Sequence, residues 1–190
     1  MKTIFLASLL LAAMTATVNA QTRYHASYSK VAINGTSTLH DWDMASSKAS
    51  CDVAFVFDGS NITGLSSLVF NVQAQSLKSD HSGMDKNAYK ALNADKYPDI
   101  SFVSNYANIK PNGANSYVVS AKGKLTISGV TKDVWLAGVT TVNQADMSVQ
   151  TVGSLKIKMS EYNVEAPTFM FGAMKTGDEV TVKFNVDLKK

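Results

Sequence analysis

The sequence predicts an all-β protein: an antiparallel barrel or sandwich of eight or nine strands, broken once by a short helix. Three observations carry that expectation. Apolar and polar residues alternate with a period of two through most of the chain. Gly- and Asn/Asp-bearing turn pairs separate these runs at the short spacing of antiparallel hairpins. One stretch, Ser82–Ala94, instead places apolar residues at helical spacing. With 190 residues, 45% hydrophobic and 17% charged, the chain suits one folded domain and not a disordered state.

The opening residues differ from all that follows. Lys2 precedes Ile4–Ala13, a run apolar except for Ser8, and Val18-Asn19-Ala20 places short residues where a signal peptidase cuts. Residues 1–20 are therefore expected to be a cleaved secretory leader, with Gln21 the new N-terminus and 21–190 one domain in the periplasm or outside the cell. The apolar run falls short of the about 20 residues a bilayer-spanning helix needs. No second run follows it, so no transmembrane segment is expected in the mature chain. Cys51 is the only cysteine, which excludes an intrachain disulfide. Its place in the strand-like Ala49–Asp58 marks it as a small core residue.

The strands follow in order. Tyr24–Asn34 is the first. In Ala49–Asp58, Val53, Phe55 and Phe57 form an inward set, and Leu68, Phe70 and Val72 alternate with Asn71 and Gln73. After the helix, Ile100 and Phe102 alternate with Asp99 and Ser101. Ser116–Ile127 and Val130–Val142 are further strands, and Leu155, Ile157 and Met159 alternate with Lys156 and Lys158. Val180, Val182, Phe184, Val186 and Leu188 close the chain against Thr181, Lys183, Asn185 and Asp187. Asn34-Gly35, Asp58-Gly59, Asn112-Gly113, Ser128-Gly129 and Thr176-Gly177-Asp178 read as the turns. In the helical stretch Met84, Ala88, Ala91 and Leu92 share a face, Ser82 with Asp85 resembles a capping box, and Asn93 and Tyr97-Pro98 are stop signals. The insertion Gln75–Asp99 would lie over one end of a barrel.

Chemistry-bearing patterns are few. A formal charge of +3, without a basic block, argues against nucleic acid as a partner. No G-x-S-x-G elbow, phosphate loop or H-E-x-x-H occurs, so no catalytic residue, cofactor or metal ligand is assigned. His25, His40 and His81 lack metal-site spacing. Eight Met and eight Phe are plentiful, and both types suit the wall of an apolar cavity. Alternation and aromatic bulk select Phe55, Phe57, Phe70, Phe102, Phe169, Phe171, Met174 and Phe184 as candidate lining residues. Asp85 and His81 are candidates for contact with a polar headgroup.

Several phrases carry a family resemblance. Gly123-Lys124-Leu125-Thr126-Ile127-Ser128-Gly129-Val130-Thr131-Lys132 resembles the G-x-L-T-(I/L)-x-G-V-T-(K/R) signature of the YceI-like family of secreted polyisoprenoid-binding proteins. Ala94-Asp95-Lys96-Tyr97-Pro98-Asp99-Ile100-Ser101-Phe102 and Ser76-Leu77-Lys78-Ser79 resemble segments flanking that family's helical insertion, and Gly35–Trp42 is similar to one secreted branch. The resemblance implies a lipocalin-like antiparallel β-barrel of about eight strands, whose interior holds a polyisoprenoid, an isoprenoid quinone or a fatty-acyl chain. The family commonly has an Arg-Asp pair and then a His at the helix start. Here Met84-Asp85 and Asn87 stand in those places, so only Asp85 carries over.

The leading expectation is thus a non-enzymatic lipid carrier, with an apolar lipid as its partner. Two other readings stay open at this point: a solid barrel that binds a protein or polysaccharide through its loops, and a small hydrolase or isomerase using His40 with Asp41 or Asp43. Monomer and dimer both remain open.

Overall fold

The structure, a computed structural model, describes residues 20–169 and 174–190. The expected leader, apart from Ala20, and Phe171 lie outside the described residues. Of Phe169 and Met174 only the backbone pairing is described.

The strands are β1 (Ala20–Ser37), β2 (Trp42–Ser46), β3 (Ser50–Asp58), β4 (Asn61–Gln73), β5 (Asp99–Pro111), β6 (Ser116–Ile127), β7 (Val130–Val142), β8 (Val149–Lys158), β9 (Thr168–Phe169) and β10 (Met174–Lys189). One helix, α1 (Ser82–Ala91), lies between β4 and β5. Eight strands close an antiparallel barrel in the order β1-β3-β4-β5-β6-β7-β8-β10, with β10 returning to β1. Closure depends on the length of β1. Along one edge it pairs with β10 from His25↔Lys189 to Ser37↔Thr176. Its other edge pairs with β3 up to His25↔Asp52, then with the short β2 from Val31↔Ser46 to Gly35↔Trp42.

Alternation decides which side chains go inside. In β6, Tyr117, Val119, Ala121, Leu125 and Ile127 are buried while Lys122 and Lys124 face solvent. That is the period-two division a barrel wall requires, since successive side chains leave a strand on opposite faces. β6 and β7 have the limits their sequences predict, and their Ser128-Gly129 turn has both residues in the left-handed region (φ 49° and 77°), as a tight hairpin demands.

Two predicted turns are corrected. Asn34-Gly35 is not a turn but the interior of β1. A Cβ on Gly35 would stand 2.2 Å from Trp42 Cζ2, so the glycine makes room for the indole on the opposing strand. Thr176-Gly177-Asp178 belongs to β10, where a Cβ on Gly177 would meet Thr36 Oγ1 at 2.4 Å. In both places glycine serves close approach between neighbouring strands, a role that the local sequence does not distinguish from a turn.

The two ends of the barrel differ. At one end are the β3–β4, β5–β6 and β7–β8 turns, and the interior is packed solid. Tyr24, Phe57, Ile62, Tyr117, Val142 and Val149 meet there, each buried. The rings of Tyr24, Phe55 and Phe57 pack at 5.9–6.3 Å between centroids. The other end carries the β1–β2 loop, α1, the β6–β7 turn and the segment 159–167. It is the mouth.

Candidate functional site

Above the solid end the interior holds a cavity of about 570 Å³. Its wall is almost wholly apolar. Phe55 of β3, Phe70 of β4, Phe102 of β5 and Phe184 of β10 each line it, from four different strands. Glycines on neighbouring strands seat two of these rings. A Cβ on Gly123 would lie 2.6 Å from Phe102 Cζ, and one on Gly153 would lie 2.4 Å from Phe184 Cζ. Trading side-chain volume for aromatic rings in this way keeps the centre of the barrel open.

Most polar lining groups gather toward the mouth, among them Ser37, His40, His81, Asn87, Lys175 and Thr176; Thr151, deeper on β8, is hydrogen-bonded to Thr140. Helix α1 lies over that opening. Its inward residues are mostly small, with Gly83, Ala88 and Ala91 among the lining, so the helix covers the cavity without filling it. No apolar side chain of α1 is fully buried.

The helix is held from both sides. On entry, Lys78 exchanges backbone hydrogen bonds with Ala45 of β2 at 2.7 and 2.8 Å. Asp85 accepts from the Ser79 backbone N–H and hydroxyl, each at 2.8 Å, and stands 3.6 Å from Lys78 Nζ. Burial works to raise the Asp85 carboxyl, but the Ser79 hydrogen bonds and the Lys78 ammonium outweigh it and hold it below its ordinary value. Tyr89 donates from its hydroxyl to Leu77 O at 2.6 Å. The capping expectation is corrected here. His81, not Ser82, is the N-cap, and Asp85 reaches back beyond the cap to Ser79. On exit, Asn93 turns left-handed (φ 49°), as the stop signal predicts, and the Tyr97 ring packs on Gly129.

The predicted site residues separate into groups. Phe55, Phe70, Phe102, Phe184 and His81 line the cavity. Phe57 does not: it belongs to the solid layer beneath Phe55, because the inward face of β3 runs on past the cavity floor. Asp85 is also absent from the lining, its carboxylate engaged by Ser79 and Lys78. Phe169 and Met174 pair across β9 and β10. Phe171 lies outside the described residues.

Sequence reasoning missed several members of the wall, two of them in irregular chain. Tyr162 (1% exposed) and Val164 (5%) come from the tight turn Met159–Tyr162 and the irregular chain after it, where no periodicity marks an inward face. It also left out Cys51, His40 and Trp42 as lining residues. Trp42 donates its Nε1–H to Thr36 O at 3.1 Å. Burial, with Asp52 adding to it, pushes the Cys51 thiol up to about 12. Among the described residues no three His, Cys, Asp or Glu side chains come together as a metal site, and no helix is long and apolar enough to cross a membrane.

Comparison with known proteins places this architecture. The YceI-like domain family matches residues 17–188. A UPF0312 protein of Vibrio cholerae is 32% identical over 135 residues, which cover 60% of this chain and 69% of that protein. Among solved structures, Burkholderia cenocepacia BcnA is 27% identical with a TM-score of 0.66, covering 84% of this chain and 95% of BcnA. A polyisoprenoid-binding domain from Saccharophagus degradans, implicated in plant cell wall breakdown, shares the fold at 11% identity. Its TM-score is 0.67, with 87% of this chain and 97% of that domain covered. With the family matched along nearly the whole described barrel and the same fold in its solved relatives, the chain belongs to the YceI-like domain family.

Proposed function

We propose that the barrel binds a lipid with a single apolar chain, such as a polyisoprenoid, an isoprenoid quinone or a fatty-acyl chain, and carries or sequesters it without chemical change. One observation carries this reading: a cavity of about 570 Å³ lined by Phe55, Phe70, Phe102 and Phe184, with most of its polar groups at the mouth. An apolar chain entering that space leaves water, and each methylene buried contributes about 0.8 kcal/mol. The headgroup stays at the mouth, where Ser37, His40, His81, Asn87 and Lys175 offer hydrogen-bond partners. The name of the Saccharophagus degradans domain agrees with such a ligand.

The alternatives are weaker on specific grounds. A loop-binding module with a solid barrel would leave no such cavity. The hydrolase or isomerase reading pairs His40 with the carboxylate of Asp41 or Asp43, whereas His40 Nδ1 meets the backbone carbonyl of Asp41 at 2.8 Å. Residues 1–20 would act as a secretory leader, placing residues 21–190 in the periplasm or outside the cell. Lys2, the apolar Ile4–Ala13 and Val18-Asn19-Ala20 support that placement.

The test is native mass spectrometry of the protein purified without detergent, followed by organic extraction. A stoichiometric prenyl or acyl species is expected, and it should be lost when Phe70 or Phe102 is replaced by Trp. An intact mass beginning at Gln21 would support the leader. A protein that is empty and also takes up neither added quinone nor fatty acid would overturn the lipid reading.

A further inference from the structure

We infer that the barrel is a chain-length ruler, resting on the lipid-binding reading above: it accepts a single chain of about four isoprene units and rejects much longer ones, with Phe55 and the layer below it as the stop. The volume sets the scale. An apolar cavity of about 150 Å³ takes one benzene ring, or about 25 Å³ per carbon. At that density a cavity of about 570 Å³ takes a little over 20 carbons.

The geometry makes this capacity a limit. The wall is a closed ring of strands, parted in two places: β7 and β8 separate beyond Ala137↔Ser154 toward the mouth, and β4 and β5 beyond Leu68↔Ser104 toward the floor, so chain that passes either gap leaves the apolar interior for water. The floor is shut: below Phe55 the buried Tyr24, Phe57, Ile62, Tyr117, Val142 and Val149 pack together, and none of them lines the cavity. Tyr117 ties that layer to the β3–β4 turn by donating to Asn61 Oδ1 at 3.0 Å. Surplus chain also goes back through the mouth. There a surplus of chain meets His40, His81, Asn87 and Lys175 and then water. Headgroup at the mouth and stop at the floor together fix the number of carbons between them.

The experiment offers the purified protein an equal mixture of all-trans prenyl alcohols of two, three, four, five, six and eight isoprene units in phosphatidylcholine vesicles. Protein is then separated from vesicles and its bound alcohols are quantified by mass spectrometry. A bilayer and the cavity bury each carbon alike, so the bound share should stay level up to four units. Beyond capacity each carbon left outside favours the bilayer about fourfold, and the eight-unit alcohol should fall at least about tenfold below the four-unit one. Phe55→Ala removes a ring of about one unit's volume from the floor, and the break should move to five units. Ala121→Phe adds such a ring to the wall at a buried lining position, and the break should move to three. If Phe55→Ala fails to fold, Ala121→Phe decides alone. A bound share that stays level through eight units, or a break that the folded variants leave in place, overturns the ruler while the lipid reading stands. Absence of every alcohol overturns that reading, and the ruler with it.

Discussion

The ring of Tyr97 occupies the space that a side chain at Gly129 would need: a Cβ there would stand 2.6 Å from Tyr97 Cε1. The contact joins two segments far apart in sequence, the chain leaving α1 and the β6–β7 turn. It therefore fixes the helix exit to the barrel rim. Gly129 also has φ +77°, a conformation costly for any residue with a Cβ. Gly129→Ala should combine local strain with displacement of the Tyr97 ring and lower stability by about 2 kcal/mol. Urea unfolding would measure the loss. Hydrogen exchange should show it concentrated in Leu92–Pro98 and the β6–β7 turn, and a loss spread evenly over the barrel would contradict the role given to this contact.

How legible the protein was follows from where its information is local. The period-two patterns of β6, β7 and β10 specify a face residue by residue, so strands and inward sets could be read directly. Closure into a barrel could not be: it depends on β1 pairing with β10, partners separated by nearly the whole chain. Gly35 shows the other kind of failure. Asn-Gly is a strong turn signal, yet here the glycine is a seat for Trp42, and only the opposing strand reveals that. Phe55 and Phe57 share one inward face, and periodicity has no means of telling that the cavity ends between them. Asp85 was legible as important, but its partner Ser79 lies beyond the span of a capping box.

Asp85 makes the helix anchorage sensitive to acid. Its carboxyl is held below its ordinary value of 3.8, so the folded state favours the charged form. The resulting stabilisation is complete above that ordinary value and is lost as pH falls through the lower, folded-state value. Asp178, lowered by Ser160 Oγ–H and N–H donation at 2.7 and 2.8 Å, follows the same sign at the other side of the mouth. Asp85→Ala should cost about 1–2 kcal/mol at neutral pH, because it strands the Ser79 donors. Its stability should then fall less steeply than that of the unsubstituted protein over the acid limb. Urea midpoints for both proteins, measured from pH 7 down to pH 2, give the comparison. Parallel curves would remove Asp85 from the account.

Cys51 gives a probe of the cavity from within. It lines the open space, yet its thiol is pushed up to about 12, chiefly by burial. Thiolate is the reactive form, so the folded protein should consume almost no thiol reagent at pH 8, while denaturant should release one equivalent. A small apolar alkylating agent should react faster than a charged one of equal intrinsic reactivity, and bound lipid should slow it further. Equal rates for the two reagents would mean that Cys51 is reached through an opening in the wall and not through the cavity.

Gly153 and Phe184 face each other across β8 and β10. A Cβ on Gly153 would stand 2.4 Å from Phe184 Cζ and 2.3 Å from the Ala137 carbonyl oxygen. The first conflict can be relieved by swinging the ring into the cavity, and the second only by moving backbone. Gly153→Ala should therefore destabilise by about 2 kcal/mol and also shrink the space available to a lipid. Removing the ring separates the two effects. In Phe184→Ala the added methyl meets only backbone, the Ala137 carbonyl and Gly138 Cα at 2.9 Å, so the cost of Gly153→Ala should drop by about 1 kcal/mol in that background, a coupling expected of residues in contact. A double-mutant cycle by urea unfolding, run beside lipid uptake, tests both parts. Strict additivity would show that the ring and the glycine do not share the space, and that the width of the barrel at Phe184 is set elsewhere.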